Sequence, residues 1–371
     1  MSDIYVGLMS GTSMDGIDAA LVEFDTASIK ILATRDYPYP AALRQQLLDA
    51  IAIPLDQEID NVAELHRATG ECFRDAALAL LDAAGVKAAA ITAIGSHGQT
   101  LRHQPNIETP FSLQIGDPQL IADGTNIRTV ADFRSADIAA GGQGAPLAPV
   151  FHEWLFSAPG KTRCVVNIGG VANVTLLADK HDTIGFDTGP GNSLMDAWVR
   201  KHRDQAFDQD GRWAQQGSID LELLERFLSE PYFAYAPPKS TGFEQFNLRW
   251  IEAHDVSSVE PADVQATLCA LSATTIADAI TDFAPETDDL LVCGGGARNA
   301  TLMKQLASRL PSITVAPTSV AGLDPDWVEA VAFAWLAMRH QQNLPGNLPS
   351  VTGANAAVLL GMLFEPHQEP H

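Results

Sequence analysis

Two apolar runs, residues 4–8 and 17–24, close on a turn of small and polar residues, Ser10-Gly11-Thr12-Ser13-Met14-Asp15-Gly16. The pattern is a strand, a Gly/Ser/Thr turn and a second strand, set near the start of the chain. The turn offers backbone N–H groups at Gly11 and Gly16, hydroxyls of Ser10, Thr12 and Ser13, and the carboxylates Asp15 and Asp18. Glycines let a backbone wrap an anion closely, and successive N–H groups make a nest for phosphate oxygens. A carboxylate beside such a cradle implies a divalent cation between the two. An ordinary hairpin turn rich in small residues carries the same pattern, so these residues alone do not decide.

The rest of the chain bears on the choice. A second strand–turn–strand runs through residues 164–177, with Asn167, Gly169 and Gly170 at its turn. A short apolar strand at residues 289–293 runs into Gly294, Gly295 and Gly296, and Asn299 precedes a helical run over residues 301–310. The order of hairpin, hairpin and strand–Gly-Gly-Gly–helix resembles the actin-like ATPase fold, ribonuclease H-like, of sugar kinases, acetate kinases and heat-shock chaperones. The resemblance implies an α/β chain of two domains around a central cleft. The hairpins would hold the phosphates from opposite sides, and the triple-glycine unit would pack against adenosine.

At 371 residues the chain is too long for one core and suits two or three domains. We expect a first domain over residues 1–140 and a second over residues 141–371. The last helix, at residues 358–364, would pack back on the first domain. The glycine-rich residues 139–146 read as the interdomain hinge or linker. No run approaches the roughly 18 apolar residues of a membrane span, and no basic stretch and apolar core precede the first strand. Cys72, Cys164, Cys269 and Cys293 are scattered without metal-ligand spacing, as buried thiols in a reducing compartment would be. A net charge of −23 repels nucleic acid and anionic membranes. It repels ATP as well, so nucleotide binding would need local N–H groups, a metal ion and a few placed cations.

Polar groups recur where strands end, as they do in open α/β sheets that bind ligands there. Asp187 ends one strand, before Gly189-Pro190-Gly191 and a helix, and is the acid best placed to take a proton from a hydroxyl or a water. A helix N-cap also explains it from local sequence. Glu329 lies in the first turn of an apolar helix, where the helix dipole also favours an acid. His97, Gln99 and Thr100 follow a strand and suit sugar hydroxyls. Arg134 is a candidate for an anionic substrate group or for a salt bridge to Asp132 or Asp137. Lys239 and Arg298 are weaker phosphate partners.

Taken together, the motifs resemble those of the anhydro-N-acetylmuramic acid kinases. They run from Gly7-Leu8-Met9-Ser10-Gly11-Thr12-Ser13-Met14-Asp15-Gly16 through Ser96-His97-Gly98-Gln99-Thr100, Gln114-Ile115-Gly116-Asp117 and Asp132-Phe133-Arg134. Gly141-Gly142-Gln143-Gly144-Ala145-Pro146, Asn167-Ile168-Gly169-Gly170 and Phe186-Asp187-Thr188-Gly189-Pro190-Gly191-Asn192 follow. Pro238-Lys239-Ser240-Thr241-Gly242, Cys293-Gly294-Gly295-Gly296 and Leu348-Pro349-Ser350-Val351-Thr352-Gly353-Ala354 complete the set. The resemblance implies a cytoplasmic bacterial enzyme of cell-wall recycling, active on a small-molecule sugar, with a homodimer allowed. Asp187 would be the base that activates a water. Gly11, Thr12, Ser13, Met14, Asp15, Gly16, Ile17 and Asp18 would bind the phosphates of ATP with Mg2+, Asp18 holding the metal. Asn167, Gly169, Gly170 and the three glycines 294–296 would complete the nucleotide site. Glu329, Arg134, His97, Gln99 and Thr100 would hold the sugar, Arg134 pairing with its lactyl carboxylate. Another sugar or carboxylate kinase of this fold, or a chaperone-like regulatory ATPase, are the rival readings.

Overall fold

Three antiparallel strands followed by two parallel ones are laid down twice along the chain. In the first sheet β1 (Asp3–Met9), β2 (Gly16–Phe24) and β3 (Ile29–Pro38) form a meander, β4 (Ile91–Ser96) joins β1 in parallel, and β5 (Thr129–Ala131) joins β4. In the second, β6 (Arg163–Ile168), β7 (Val171–Leu177) and β8 (Ile184–Pro190) repeat the meander, and β9 (Asp289–Cys293) and β10 (Thr314–Pro317) add in parallel. These five strands run β3-β2-β1-β4-β5 in the first sheet and β8-β7-β6-β9-β10 in the second, one shared topology, and a sixth strand lies beyond β5 in the first sheet. This is the two-domain actin-like α/β fold that the sequence led us to expect. The computed structural model describes residues 3–11, 13–25, 28–53, 57, 61–178, 181–243 and 245–367.

The chain divides into one unit of residues 1–155 and 327–371 and another of residues 156–326. This differs from the expected division at 140/141. The chain passes between units at 155/156 and again at 326/327, and its last 45 residues return to the first unit. The reason for the return is visible in β1 and β4. Gly7 and Gly95 are register partners on these strands. A Cβ on Gly7 would lie 1.8 Å from the Ala330 carbonyl oxygen, and one on Gly95 would lie 2.0 Å from that of Phe333. The two glycines therefore form a notch in which the helix Val328–Gln341 rests backbone against backbone. Its Val328, Val331, Ala334 and Trp335 are buried there.

On the first unit the helix Val62–Ala84 buries Leu65, Phe73, Ala77, Leu80 and Leu81 at helical spacing and stops at Gly85, whose φ is 65°. The second unit is built around Pro261–Phe283. This helix is long and apolar enough to cross a membrane, against the expectation of no such run, but 83% of its most apolar window is buried in the unit's core.

Two further expectations are corrected. Residues 358–364 hold no helix: Met362–Phe364 is a strand, antiparallel to β5. A short apolar run carries too few residues for its period to separate strand from helix. Residues 139–146 are not a linker but part of the first unit, fastened by Gln143 N–H to the Thr352 carbonyl (2.8 Å) and Asn355 N–H to that of Ala140 (2.8 Å).

Candidate active site

The first hairpin turn is shaped by side chains that come from outside it. The Ser10 hydroxyl lies 2.7 Å from both the Gly16 carbonyl and Gln99 Oε1, and the Gln99 amide N–H donates to the Gly11 carbonyl (3.3 Å). Arg44 Nε donates to the Met14 carbonyl at 2.9 Å. Ser13 donates to Asp15 Oδ1 at 2.7 Å. Met14 is buried with φ at 49°, and Ile17 is fully buried, so both serve the turn through packing. A Cβ on Gly16 would meet the Tyr37 carbonyl at 2.6 Å, whereas one on Gly11 would meet nothing within 4 Å. Gly16 is thus required by packing, and Gly11 leaves open backbone. Asp18 is half-buried on β2, where Met9 and Asp36 are its register partners. Thr12 lies outside the described residues. Gln99 itself is buried, its amide engaged with the turn, and Thr100 Oγ1 accepts from Gln114 Nε2 at 3.1 Å.

The same unit gathers His97, Arg134 and Glu329. Arg134 Nη2 donates to His97 Nε2 at 2.8 Å, and Nη1 donates to the Gly144 carbonyl at 2.7 Å. Burial pulls the Arg134 guanidinium down to about 10, against the carboxylates of Glu329 and Asp137, which hold it up. Burial, with the Arg134 charge beside it, lowers His97 to about 3. The imidazole is therefore neutral at physiological pH and free to accept at Nε2. Its ring packs on Phe333, centroids 4.7 Å apart, from the helix that carries Glu329. Among the described residues, the buried Arg134 Nε–H has no acceptor. An unanswered donor on a buried cation is costly and suits an anionic group brought by a ligand.

In the second unit, the register sets Asn167, Asn173 and Asp187 side by side across β6, β7 and β8. Directly paired residues point to one face of a sheet. The register shifts between Asp187 and Gly189, an irregularity of the kind that re-aims a side chain. Asp187 lies inside β8 and not at a helix start, since the next helix is Ser193–Arg203. A loop holds it instead: Thr241 N–H donates to Asp187 Oδ2 (3.0 Å), Tyr232 Oη–H to its carbonyl (2.8 Å), and its own N–H to the Lys239 carbonyl (3.1 Å). Lys239 Nζ donates to the Phe233 carbonyl at 3.2 Å and sits 4.9 Å from the Tyr232 ring centre. Burial lowers its pKa, and Asp187 opposes that. The Asn167 and Asn173 Oδ1 atoms are buried without a partner among the described residues.

The second hairpin turn is closed largely by main chain, with the Asn192 Nδ2 amide also donating to the Ile168 carbonyl at 3.0 Å. Gly191 and Ser193 N–H donate to the Gly170 carbonyl (2.8 and 3.2 Å), and Asn192 N–H to that of Gly169 (2.8 Å). After β9 the triple glycine forms a short 3-10 turn, Gly295–Arg298, before the helix Ala300–Arg309, whose N-cap Asn299 accepts from Leu302 N–H. A Cβ on Gly294 would lie 2.4 Å from Asn167 Oδ1 and one on Gly296 2.4 Å from Ile168, while Gly295 has its nearest neighbour at 3.8 Å. Arg298 is paired with Asp326. Among the described residues no group of three or more His, Cys, Asp or Glu side chains could hold a metal by itself. Asp18 alone would leave most of the ligand shell to phosphate and water, as Mg2+ commonly has it.

A family profile described as anhydro-N-acetylmuramic acid kinase matches residues 3–366. The chain belongs to this family. It is 51% identical over 366 residues to a protein of Shewanella halifaxensis named anhydro-N-acetylmuramic acid kinase, covering 98% of each chain. It is 50% identical to a protein of the same name from Vibrio cholerae, covering 98% of this chain and 99% of that one. A solved activator of 2-hydroxyisocaproyl-CoA dehydratase from Clostridium difficile is a distant likeness. It has 12% identity and a TM-score of 0.45 over 93% of this chain and 99% of that one. Sequence reasoning gave no role to Asn173, Tyr232 and Thr241 around Asp187, or to Gly7 and Gly95 beneath the helix that carries Glu329. Thr241 stood in a motif already noticed, Pro238-Lys239-Ser240-Thr241-Gly242, but nothing local linked it to Asp187.

Proposed function

We propose that this chain is an ATP-dependent kinase that opens the anhydro bridge of 1,6-anhydro-N-acetylmuramic acid with water and phosphorylates O6. The products are N-acetylmuramic acid 6-phosphate and ADP. The observation that carries the reading is the family match over residues 3–366, which spans every group described above. Asp187 takes the proton of a water that attacks C1. The C1–O6 bond breaks, and O6 takes the γ-phosphoryl group. Asp187 is aimed for this by the Thr241 N–H and by its place in β8. Phosphoryl transfer needs positioning and charge neutralisation more than covalent chemistry. The open backbone at Gly11 serves the phosphates, and Asp18 is the residue that would hold Mg2+, which would supply charge neutralisation. Asn167, Gly169, Gly170 and Gly295 extend the nucleotide site.

On the sugar side, Arg134 receives the lactyl carboxylate at its unanswered Nε–H, with neutral His97 keeping the guanidinium in plane. Glu329 binds sugar hydroxyls. Gln99 acts through the phosphate turn and not on the sugar, because its amide is already engaged with Ser10 and Gly11. The setting is amino-sugar metabolism in peptidoglycan recycling, in the cytoplasm. Incubation with magnesium-ATP and the anhydro sugar, followed by mass spectrometry, tests the reading. A product heavier by one water than the merely phosphorylated sugar is expected; an intact bridge in the product would refute it.

A further inference from the structure

Two of the sequence motifs have no part in the chemistry above, the glycine-rich residues 141–146 and the segment 348–354. Both converge on Asp137. Its carboxylate is fully buried and accepts from Gly144 N–H at Oδ2 (2.7 Å), and from Asn347 Nδ2 (2.6 Å) and Thr352 Oγ1 (2.7 Å) at Oδ1. Its main-chain carbonyl takes the Gly142 N–H at 2.9 Å. Gly142 could not be larger, since a Cβ there would lie 2.2 Å from Asp137 Oδ2. Asn347 and Thr352 are themselves buried, and Asn347 Oδ1 accepts from Val358 N–H at 2.7 Å. A buried carboxylate is tolerated only with such a full set of donors.

The peptide that Asp137 grips is the one that grips Arg134. The Gly144 N–H donates to Asp137, and the Gly144 carbonyl accepts from Arg134 Nη1 at 2.7 Å. We propose that Asp137, fixed by Asn347 and Thr352, is a positioning residue that holds the Gly144 carbonyl in place and so aims Arg134 at the substrate's carboxylate. The returning C-terminal segment is then a specificity element: it selects sugars that carry an acid. This inference rests on the role given to Arg134 in the proposed function.

The logic is geometric. Arg134 donates through three nitrogens, with five N–H among them. His97 Nε2 and the Gly144 carbonyl fix two of these nitrogens, and the third, Nε–H, is left for the ligand. If the Gly144 peptide rotates, the guanidinium plane follows and the open N–H turns away. A hydrogen bond to a charged group that is weakened but not abolished changes affinity by roughly tenfold.

Thr352→Val removes one donor at constant volume, Thr352→Ser keeps it, and Asn347→Ala removes the other donor on the same oxygen. We expect Thr352→Val and Asn347→Ala to raise KM for 1,6-anhydro-N-acetylmuramic acid roughly tenfold. KM for ATP and kcat should stay within about twofold, and Thr352→Ser should behave as the parent protein. The anhydro sugar without the lactyl group, measured as a substrate or a competitive inhibitor, should bind all four proteins alike. Arg134→Ala is run beside them. If it loses both sugars equally, the reading of Arg134 falls and the relay falls with it. If it loses only the acidic sugar while Thr352→Val and Asn347→Ala leave KM unmoved, or raise it equally for both sugars, the relay alone is wrong.

Discussion

The two hairpin turns occupy the same place in two sheets of one topology, yet they are held in different ways. The first, between β1 and β2, is closed by side chains reaching in from Gln99 and Arg44. The second, between β6 and β7, is closed mostly by main-chain bonds from residues 191–193, with one bond from the Asn192 amide to the Ile168 carbonyl, and by Gly294 and Gly296 pressed on Asn167 and Ile168. At the level of sequence both are small-residue turns after an apolar run. The structure separates glycines that make room for protein, such as Gly16, Gly294 and Gly296, from Gly11, where none of the described residues beyond its chain neighbours comes within 4 Å. A glycine-rich signal is therefore two signals, and only the open kind speaks for a ligand. The second sheet adds a polar row, Asn167, Asn173 and Asp187, at the place where the first sheet pairs Met9, Asp18 and Asp36.

The contrast can be broken at its strongest point first. Asp187→Asn should lower kcat by roughly 10²–10⁴-fold, because an amide cannot accept the proton from water. Substrate affinities and melting temperature should hardly change, and a variant keeping more than about a tenth of the activity would remove Asp187 from the role. Next in size is Arg134→Ala. It should weaken the acidic sugar by roughly 10–150-fold, the worth of a charge-assisted pair, and spare the sugar without the acid.

The two kinds of glycine can be compared directly. Gly294 has φ 75° and ψ 175°, a conformation open essentially to glycine alone. Gly294→Ala should destabilise the fold by about 1–3 kcal/mol, from strain together with crowding against Asn167. Gly11→Ala should leave melting unchanged and raise KM for ATP. Equal melting losses for the two variants would erase the distinction. The smallest effect is expected for Asp18→Ala, which should raise the magnesium concentration needed for half-maximal rate at fixed ATP and leave sugar binding alone. An unchanged magnesium requirement would leave Asp18 a strand residue only.

Much of the fold was legible in the sequence because its signals are local. β1, β2, β6 and β7 announce themselves by apolar runs around small-residue turns, and Val62–Ala84 by its apolar stripe and its terminal Gly85. The return of residues 327–371 was not legible, since it depends on Gly7 and Gly95 being register partners beneath one helix, a relation between distant residues. Residues 139–146 look like a linker by composition because a buried knot around one carboxylate needs the same glycines. For the site, Asp187 and Arg134 could be picked out by residue type beside a strand, and Glu329 by its place in the first turn of an apolar helix. What aims them could not: the Thr241 N–H, the Gly144 carbonyl and the neutral His97 all act through main chain or through a protonation state set by burial.

The central claim is that Asp187 directs a water to the sugar while the phosphoryl group travels to O6. Turnover of the anhydro sugar with magnesium-ATP in water labelled with heavy oxygen tests it in one reaction. Labelled oxygen at C1 of the phosphorylated sugar, with none in the transferred phosphate, is the predicted result. Label in the phosphate, or a phosphorylated sugar with its bridge intact and no label, would contradict the account.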